Sequence, residues 1–298
     1  MDDIRKICLI AGENFSGWRK NPRIYMSFVL AFVLCLMLSG QAVSLSQTYE
    51  TPLQLLETFI WTFGDAQSVL LSSLLLLLLF GDVPFIHAAT PYWLIRTKRR
   101  VWLAGQLLYV ILATVIYCVF LLVVQMLLAS PYAFPGNVWS ETAAMLGYGG
   151  GSTSVTIPVS LKTMEHTTPL ECMLQIFLLL LLYSLFMAVL LLFLNLAGGA
   201  QVGVLGVLGI NLYGFLLNPE VFQKVFHFTG NLEYRANVCV GWLSPLNHAT
   251  YPMHSFGYDY LPAMGVSVGI FLIFIVLLAG LAWKKMKTYN FSFTQTDE

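Results

Sequence analysis

Apolar residues along this chain run in long, nearly unbroken stretches, and the stretches have the length that a bilayer demands. A hydrocarbon core of about 30 Å needs about 20 mainly apolar residues in one helix. Six stretches meet that need: Ile24–Ser44, Gln67–His87, Val101–Ala129, Leu174–Ala197, Val202–Leu217 and Leu261–Trp283. The fifth is the shortest, and Gly198, Gly199 and Gly203 blur its start. The pattern predicts an all-α integral membrane protein with six transmembrane helices.

Two flanking patterns differ from these runs. Ahead of the first, Ile4, Ile7, Cys8, Ala11, Phe15 and Trp18 recur at helical spacing, while Asp2, Asp3, Arg5, Lys6, Glu13 and Lys20 take other positions. That alternation predicts an N-terminal amphipathic interface helix within residues 1–23, lying along the membrane surface with its cations toward lipid headgroups. Pro22 is expected to break it. Between the last two runs, residues 218–260 are too many for a tight turn and too apolar for a hydrated loop. Phe222, Val225, Phe226 and Phe228 predict one short amphipathic helix, and Cys239–Leu246 predicts another. Backbone groups that enter a bilayer must be satisfied within helices or against protein. Re-entrant outer helices before the last span are therefore expected, with Phe222, Phe226, Trp242 and Pro245 forming an outer gate. The domain division that follows is 1–23 interface helix, 24–283 six-helix transmembrane domain and 284–298 cytoplasmic tail.

Composition supports the membrane assignment. Of 298 residues, 58% are hydrophobic and 10% charged, against about 25% charged in a soluble domain. The formal net charge is zero, but the placement of cations carries the information. All of the fifteen Lys and Arg residues except Lys162, Lys224 and Arg235 fall at residues 5–23, 96–100 and 284–287. Cytoplasmic loops hold the excess of Lys and Arg, so both termini and the loop after the second span are expected inside. The connection between the fourth and fifth spans has no charge and is silent. The expected location is the cell membrane, multi-pass. The first span is read as a retained anchor, because it starts at residue 24 and is too long for a signal peptide. Sequons at Asn14 and Asn290 fall on the cytoplasmic side, and Leu38–Gln41 (LSGQ), at the outer end of a span, is not an ATPase signature.

Candidate chemistry is sparse. No Walker A, HExxH or GxSxG pattern occurs, so no nucleotide or peptide hydrolysis is expected of this chain and it is read as a non-enzyme. No nucleic-acid partner is expected either. Cys172 and Cys239 lie in outer segments where a disulfide is conceivable, and Cys239, His248 and His254 carry metal-binding atoms at irregular spacing. No metal site is expected. Gly147-Tyr-Gly149 lacks the Thr-Val of a potassium filter, and Gly147 with Gly149, Gly150 and Gly151 reads as a flexible turn. Asp82 is the one acidic residue inside a predicted span, which makes it a candidate for ion coupling or for a structural, water-exposed role. Gly199, Gly203 and Gly206 give a small-residue face suited either to packing within the chain or to a seam between subunits. Around residues 91–102, Pro91, Tyr92 and Trp93 lead into Arg96, Lys98, Arg99 and Arg100, with Trp102 following. Aromatics beside cations serve as interface anchors or as contacts for a cytoplasmic protein.

The order of these parts resembles the membrane subunit of an ABC exporter of the type-2 permease family. The resemblance rests on the amphipathic helix ending in Trp18-Arg-Lys-Asn-Pro22-Arg23, six spans with both ends inside, the basic inner loop after span two, and apolar outer helices containing Trp242-Leu-Ser-Pro245. It covers nearly the whole chain. It implies two paired permease subunits, identical or different, each resting on a separate ABC ATP-binding subunit. ATP and Mg would be bound by that partner, and no cofactor by this chain. Carried onto this sequence, Phe15, Trp18, Arg19, Pro91, Tyr92, Trp93, Arg96 and Arg99 would contact the ATPase, and Gly199, Gly203 and Gly206 would lie at the subunit seam. The implied function is ATP-driven export of a hydrophobic or amphiphilic substrate such as a drug, lipid or peptide. One feature departs from the family: the outer segment 130–172 is longer than its usual brief hairpin. The rival readings are an ion-coupled secondary transporter or channel using Asp82, and a non-transporting membrane sensor or assembly subunit.

Overall fold

A computed structural model describes residues 2–86, 90–148, 160–217, 223–225, 233–257 and 259–291. Its helices are α1 (Asp2–Ser16), α2 (Pro22–Tyr49), α3 (Glu57–Phe63), α4 (Ala66–Phe80), α5 (Thr90–Arg96), α6 (Arg99–Ala129), α7 (Glu141–Tyr148) and α8 (Leu161–His166), followed by α9 (Pro169–Gly198), α10 (Ala200–Leu216), α11 (Glu233–Leu243), α12 (Pro245–Ala249) and α13 (Met264–Met286). A two-residue parallel pairing of β1 (Leu53–Gln54) with β2 (Ala133–Phe134) is the sheet among the described residues. The all-α architecture is that of a membrane-embedded protein. Four helices, α2, α6 with its extension to Tyr132, α9 and α13, are long and apolar enough to cross a membrane.

The other two predicted spans take different forms. The second is a bent pair: α3 and α4 meet at 83°. Asp65 caps α4 at the bend, its carboxylate accepting from the backbone N–H of Gln67 (3.0 Å) and Ser68 (3.3 Å), which satisfies donors left open at a helix start. α4 stops at Phe80, short of the expected His87, because the nearby Pro84 lacks the N–H that a helix interior requires. His87 itself lies outside the described residues. α10 is a 17-residue apolar helix, below the length of the four long ones.

Pro22 has the opposite role to the one expected. α1 ends at Ser16, a 3-10 turn covers Gly17–Lys20, and Pro22 then opens α2 at its first turn. Proline suits that position because the first-turn N–H has no partner in any case. The Asn21 side chain caps the helix by accepting from Arg23 N–H at 3.1 Å.

α9 lies at the centre and packs against α3, α4, α6, α10 and α13. Of its most apolar 18-residue stretch 72% is buried, against 17% for α13, which places α13 at the periphery. Its all-round apolar sequence fits burial on every side. Several polar side chains between these helices are paired. Asn211 Oδ1 of α10 accepts from Ser73 Oγ of α4 (2.7 Å) and from Tyr183 OH of α9 (2.9 Å). Tyr117 OH of α6 donates to the Ser72 carbonyl at 2.9 Å. Each such bond between helices in lipid contributes about 0.6–2 kcal/mol.

Candidate functional site

The cationic cluster at 96–100 marks one end of the bundle, and the surface there is assembled from α1, α5, the start of α6 and the residues after α13. α1 lies along α6 with Ile10 and Ala11 buried. The approach is close enough that a Cβ at Gly105 would fall 2.7 Å from Ile10 Cβ, so only glycine fits there. Asn14 Nδ2 donates to Gln106 Oε1 at 3.0 Å, and Trp18 Nε1 donates to Tyr109 OH at 2.9 Å. Phe15 packs between Trp18 and Tyr109, with ring centroids 5.1 and 4.9 Å away. Burial and the Trp18 bond together hold the Phe15–Trp18 end of α1 against the bundle.

This geometry redistributes the residues expected to contact an ATPase. Phe15 and Trp18 turn toward α6 and are half-buried, while Arg19 is exposed. In α5, Thr90 is buried, Pro91 is half-buried, and Trp93 and Leu94 pack against the core. Tyr92 and Ile95 point outward, 70% and 83% exposed, with Arg96 exposed beside them. Arg99 is engaged within the chain: its Nη1 donates to the carbonyls of Lys287 and Tyr289, both at 3.1 Å, and its guanidinium lies 5.7 Å from the Phe291 ring centroid. Arg100 lies 5.6 Å over Trp283. Residues 287–291 thus fold back on the start of α6 instead of forming a separate tail, and Phe291 meets Trp102 edge-on at 5.4 Å.

Asp82 is also placed by this end. It pairs with Arg23 Nη1, and both side chains are more than half exposed, at 51% and 58%. An exposed pair of this kind contributes little to stability, about 0–1 kcal/mol.

Comparison by family model, by sequence with characterised proteins and by fold with solved structures returned no match.

The glycine face has a partner in the chain itself. A Cβ at Gly203 would fall 1.7 Å from Asn195 Oδ1, and one at Gly206 2.4 Å from Leu194 Cδ1, so α9 occupies that side of α10. Asn195 in turn donates to the carbonyls of Gly81 (3.2 Å) and Val83 (2.5 Å). This is the internal-packing alternative for Gly203 and Gly206. Gly199, with φ +89°, forms the turn between α9 and α10 and has open space at its Cβ position.

At the opposite end, Phe222 and Phe226 lie outside the described residues. Trp242 is exposed, and its Nε1 donates to the Tyr260 carbonyl at 2.9 Å. Pro245 opens α12 behind Ser244, whose Oγ accepts from Asn247 N–H (3.3 Å) and donates to the Gly214 carbonyl (3.0 Å). The Trp-Leu-Ser-Pro stretch thus joins α11 to α12 and ties both to the end of α10. Cys172 and Cys239 are free thiols. Among the described residues no three metal-binding side chains gather. Gly147 lies inside α7 and not in a turn, while Gly149–Gly151 lie outside the described residues.

Sequence reasoning missed Glu57. It is fully buried in α3, accepting from Ser140 N–H (2.7 Å), Ser140 Oγ (2.6 Å) and Gln54 N–H (3.1 Å). Its signal in the sequence is an acidic residue two positions ahead of the mainly apolar run Phe59–Phe63.

Proposed function

We propose that this chain is the permease subunit of an ATP-driven ABC exporter of the type-2 family, carrying a hydrophobic or amphiphilic substrate and driven by a separate ATP-binding subunit. In this reading α3 with α4 is a broken second span, and α10, roughly 26 Å long at 1.5 Å per residue, is the fifth. The basic end faces the cytoplasm with both termini, in the cell membrane.

The observation that carries the reading is the outward face of α5. Tyr92 and Ile95 expose large apolar side chains next to Arg96, on a short helix held from behind by Trp93 and Leu94. Aromatic, aliphatic and arginine side chains on a braced helix are the contact chemistry of a protein interface. α1 is fixed to α6 by Asn14, Phe15 and Trp18, so a push on α5 or α6 and a push on α1 move one body. ATP binding in the partner would drive that body and change access to the pathway by rigid-body motion. A second permease subunit, identical or different, completes the pathway. ATP and Mg belong to the partner.

The test is mild solubilisation and capture of the tagged chain from its native membranes. A co-purifying ATPase, lost in a Tyr92→Ala/Ile95→Ala/Arg96→Ala variant that still folds, supports the reading. Capture without an ATPase contradicts it. Asp82→Asn separates the main rival: transport should persist in an ATP-driven exporter and stop in an Asp82-coupled carrier.

A further inference from the structure

Two buried histidines converge on one hydroxyl at the end opposite the basic cluster. His248 of α12 and His254 at the end of the 3-10 turn Tyr251–Met253 are 4% and 1% exposed, and Ser267 in the first turns of α13 is fully buried. His248 Nε2 lies 3.0 Å from the Trp242 carbonyl and its Nδ1 lies 2.8 Å from Ser267 Oγ. His254 Nδ1 lies 3.1 Å from the Tyr251 carbonyl and its Nε2 lies 2.9 Å from the same Ser267 Oγ.

Counting protons decides what this arrangement holds. A carbonyl only accepts, so His248 Nε2 and His254 Nδ1 must each carry a proton. Each neutral imidazole has one N–H, and its other nitrogen is then an acceptor. Both remaining nitrogens therefore need a donor from Ser267, which has a single O–H. With both rings neutral, three protons serve four contacts, and one nitrogen lone pair faces an oxygen lone pair in a buried site. A fourth proton completes the chain: His248 Nδ1–H donates to Ser267 Oγ, and Ser267 Oγ–H donates to His254 Nε2. A fifth would leave both ring N–H groups donating to Ser267 Oγ and its own hydrogen without an acceptor.

We infer that His248, Ser267 and His254 form a binding site for one proton, held on His248 and shared through Ser267. The surrounding charges decide between the two rings. Burial lowers the proton affinity of both below that of a free histidine, against the backbone bonds to Trp242 and Tyr251, which raise it; each ring disfavours charge on the other, and for His254 Lys162 adds to the lowering. Lys162 of α8 donates to the His254 carbonyl at 3.1 Å and pairs with Asp259. Among the described residues no such cation acts on His248, which makes it the ring that carries the charge. α4 and α10 supply no charged residue in this region, and Lys284 and Lys285 sit at the far end of α13. α9 contributes Glu171, Cys172 and Tyr183, the first two acting on Tyr251. α11 contributes Tyr234, Arg235 and Cys239. The proton joins three elements, α12, the 3-10 turn and α13, so its uptake ties the segment before the last helix to that helix. The inference does not depend on what the protein transports.

The test is histidine nitrogen NMR on the full-length protein in lipid nanodiscs from about pH 8 to about pH 5, the range in which histidine titrates, with signals assigned by single substitution. The expected result is one imidazolium among the pair at the acidic end, at His248, with His254 remaining neutral and protonated on Nδ1. His254→Gln places an amide donor near Nε2 and supplies the missing proton, so His248 should then stay neutral across the range. Ser267→Ala removes the shared hydroxyl and should also abolish uptake. Two neutral rings throughout, or two rings charging independently in the wild-type protein, would overturn the inference.

Discussion

The two ends of the helix bundle differ in how their polar side chains are held. At the end away from the basic cluster, several polar groups turn inward and are satisfied there: Glu57 by Ser140 and Gln54, and Ser244 by Gly214 and Asn247. At the basic end α1 is bonded to α6 in the same inward manner, but α5 presents Tyr92 and Ile95 outward. A buried polar group without a partner costs about 1–3 kcal/mol, so the bonds to Glu57 and Ser244 help to hold the first end together. Large exposed apolar side chains beside cations have no such internal account. The proposal that α5 is a partner surface rests on this exposed face, with α1 bonded to α6 beside it.

The largest expected effect breaks the contact of α1 with α6. Gly105→Leu drives a side chain into Ile10 and should cost about 3 kcal/mol by overpacking, read as a lower melting temperature in detergent and faster trypsin cleavage after Arg5 and Lys6. Glu57→Ala attacks the opposite end instead. It leaves the N–H groups of Ser140 and Gln54 without an acceptor and should cost about 2–3 kcal/mol, with α1 still protected from trypsin. A double-mutant cycle on Asn14 and Gln106 is gentler. Their buried bond should give a coupling energy of about 1 kcal/mol, and zero coupling would mean that packing alone holds α1. Smallest of all, Tyr92→Ala with Ile95→Ala should shift stability by no more than about 0.5 kcal/mol, since both side chains face outward. A large loss of stability there would show that α5 is part of the core, and the contrast would fail.

Much of this was legible in the residues, and the reasons for the remainder are specific. α6 and α9 were readable because their apolar runs are long and uninterrupted. The bent α3–α4 pair was not, because Glu57 and Asp65 carry charge into a region where hydropathy alone marks a loop; one is buried by three hydrogen bonds and the other caps a helix. Pro22 signals a helix boundary in either direction, and only the Asn21 cap shows that a helix begins there. Arg99 and Arg96 look equivalent in sequence. Their difference comes from residues 287–291, nearly two hundred positions away, which no local pattern connects. The two faces of α1 were partly visible in its periodicity, but whether Phe15 and Trp18 meet lipid, an ATPase or α6 depends on Tyr109, a span residue whose hydroxyl is the acceptor. Of the small residues in α10, Gly203 and Gly206 pack on α9, and sequence leaves that choice open between a neighbour helix and a neighbour subunit.

The central claim is that α5 is the surface on which a cytoplasmic ATPase rests. The most direct measurement places a photo-crosslinking residue at Ile95 in native membranes, with a control at Ile273, which is 66% exposed on α13. The account predicts a single protein adduct from position 95 that carries ATPase activity, with its yield changed by ATP, and none from position 273. Adducts to lipid alone from both positions would contradict it.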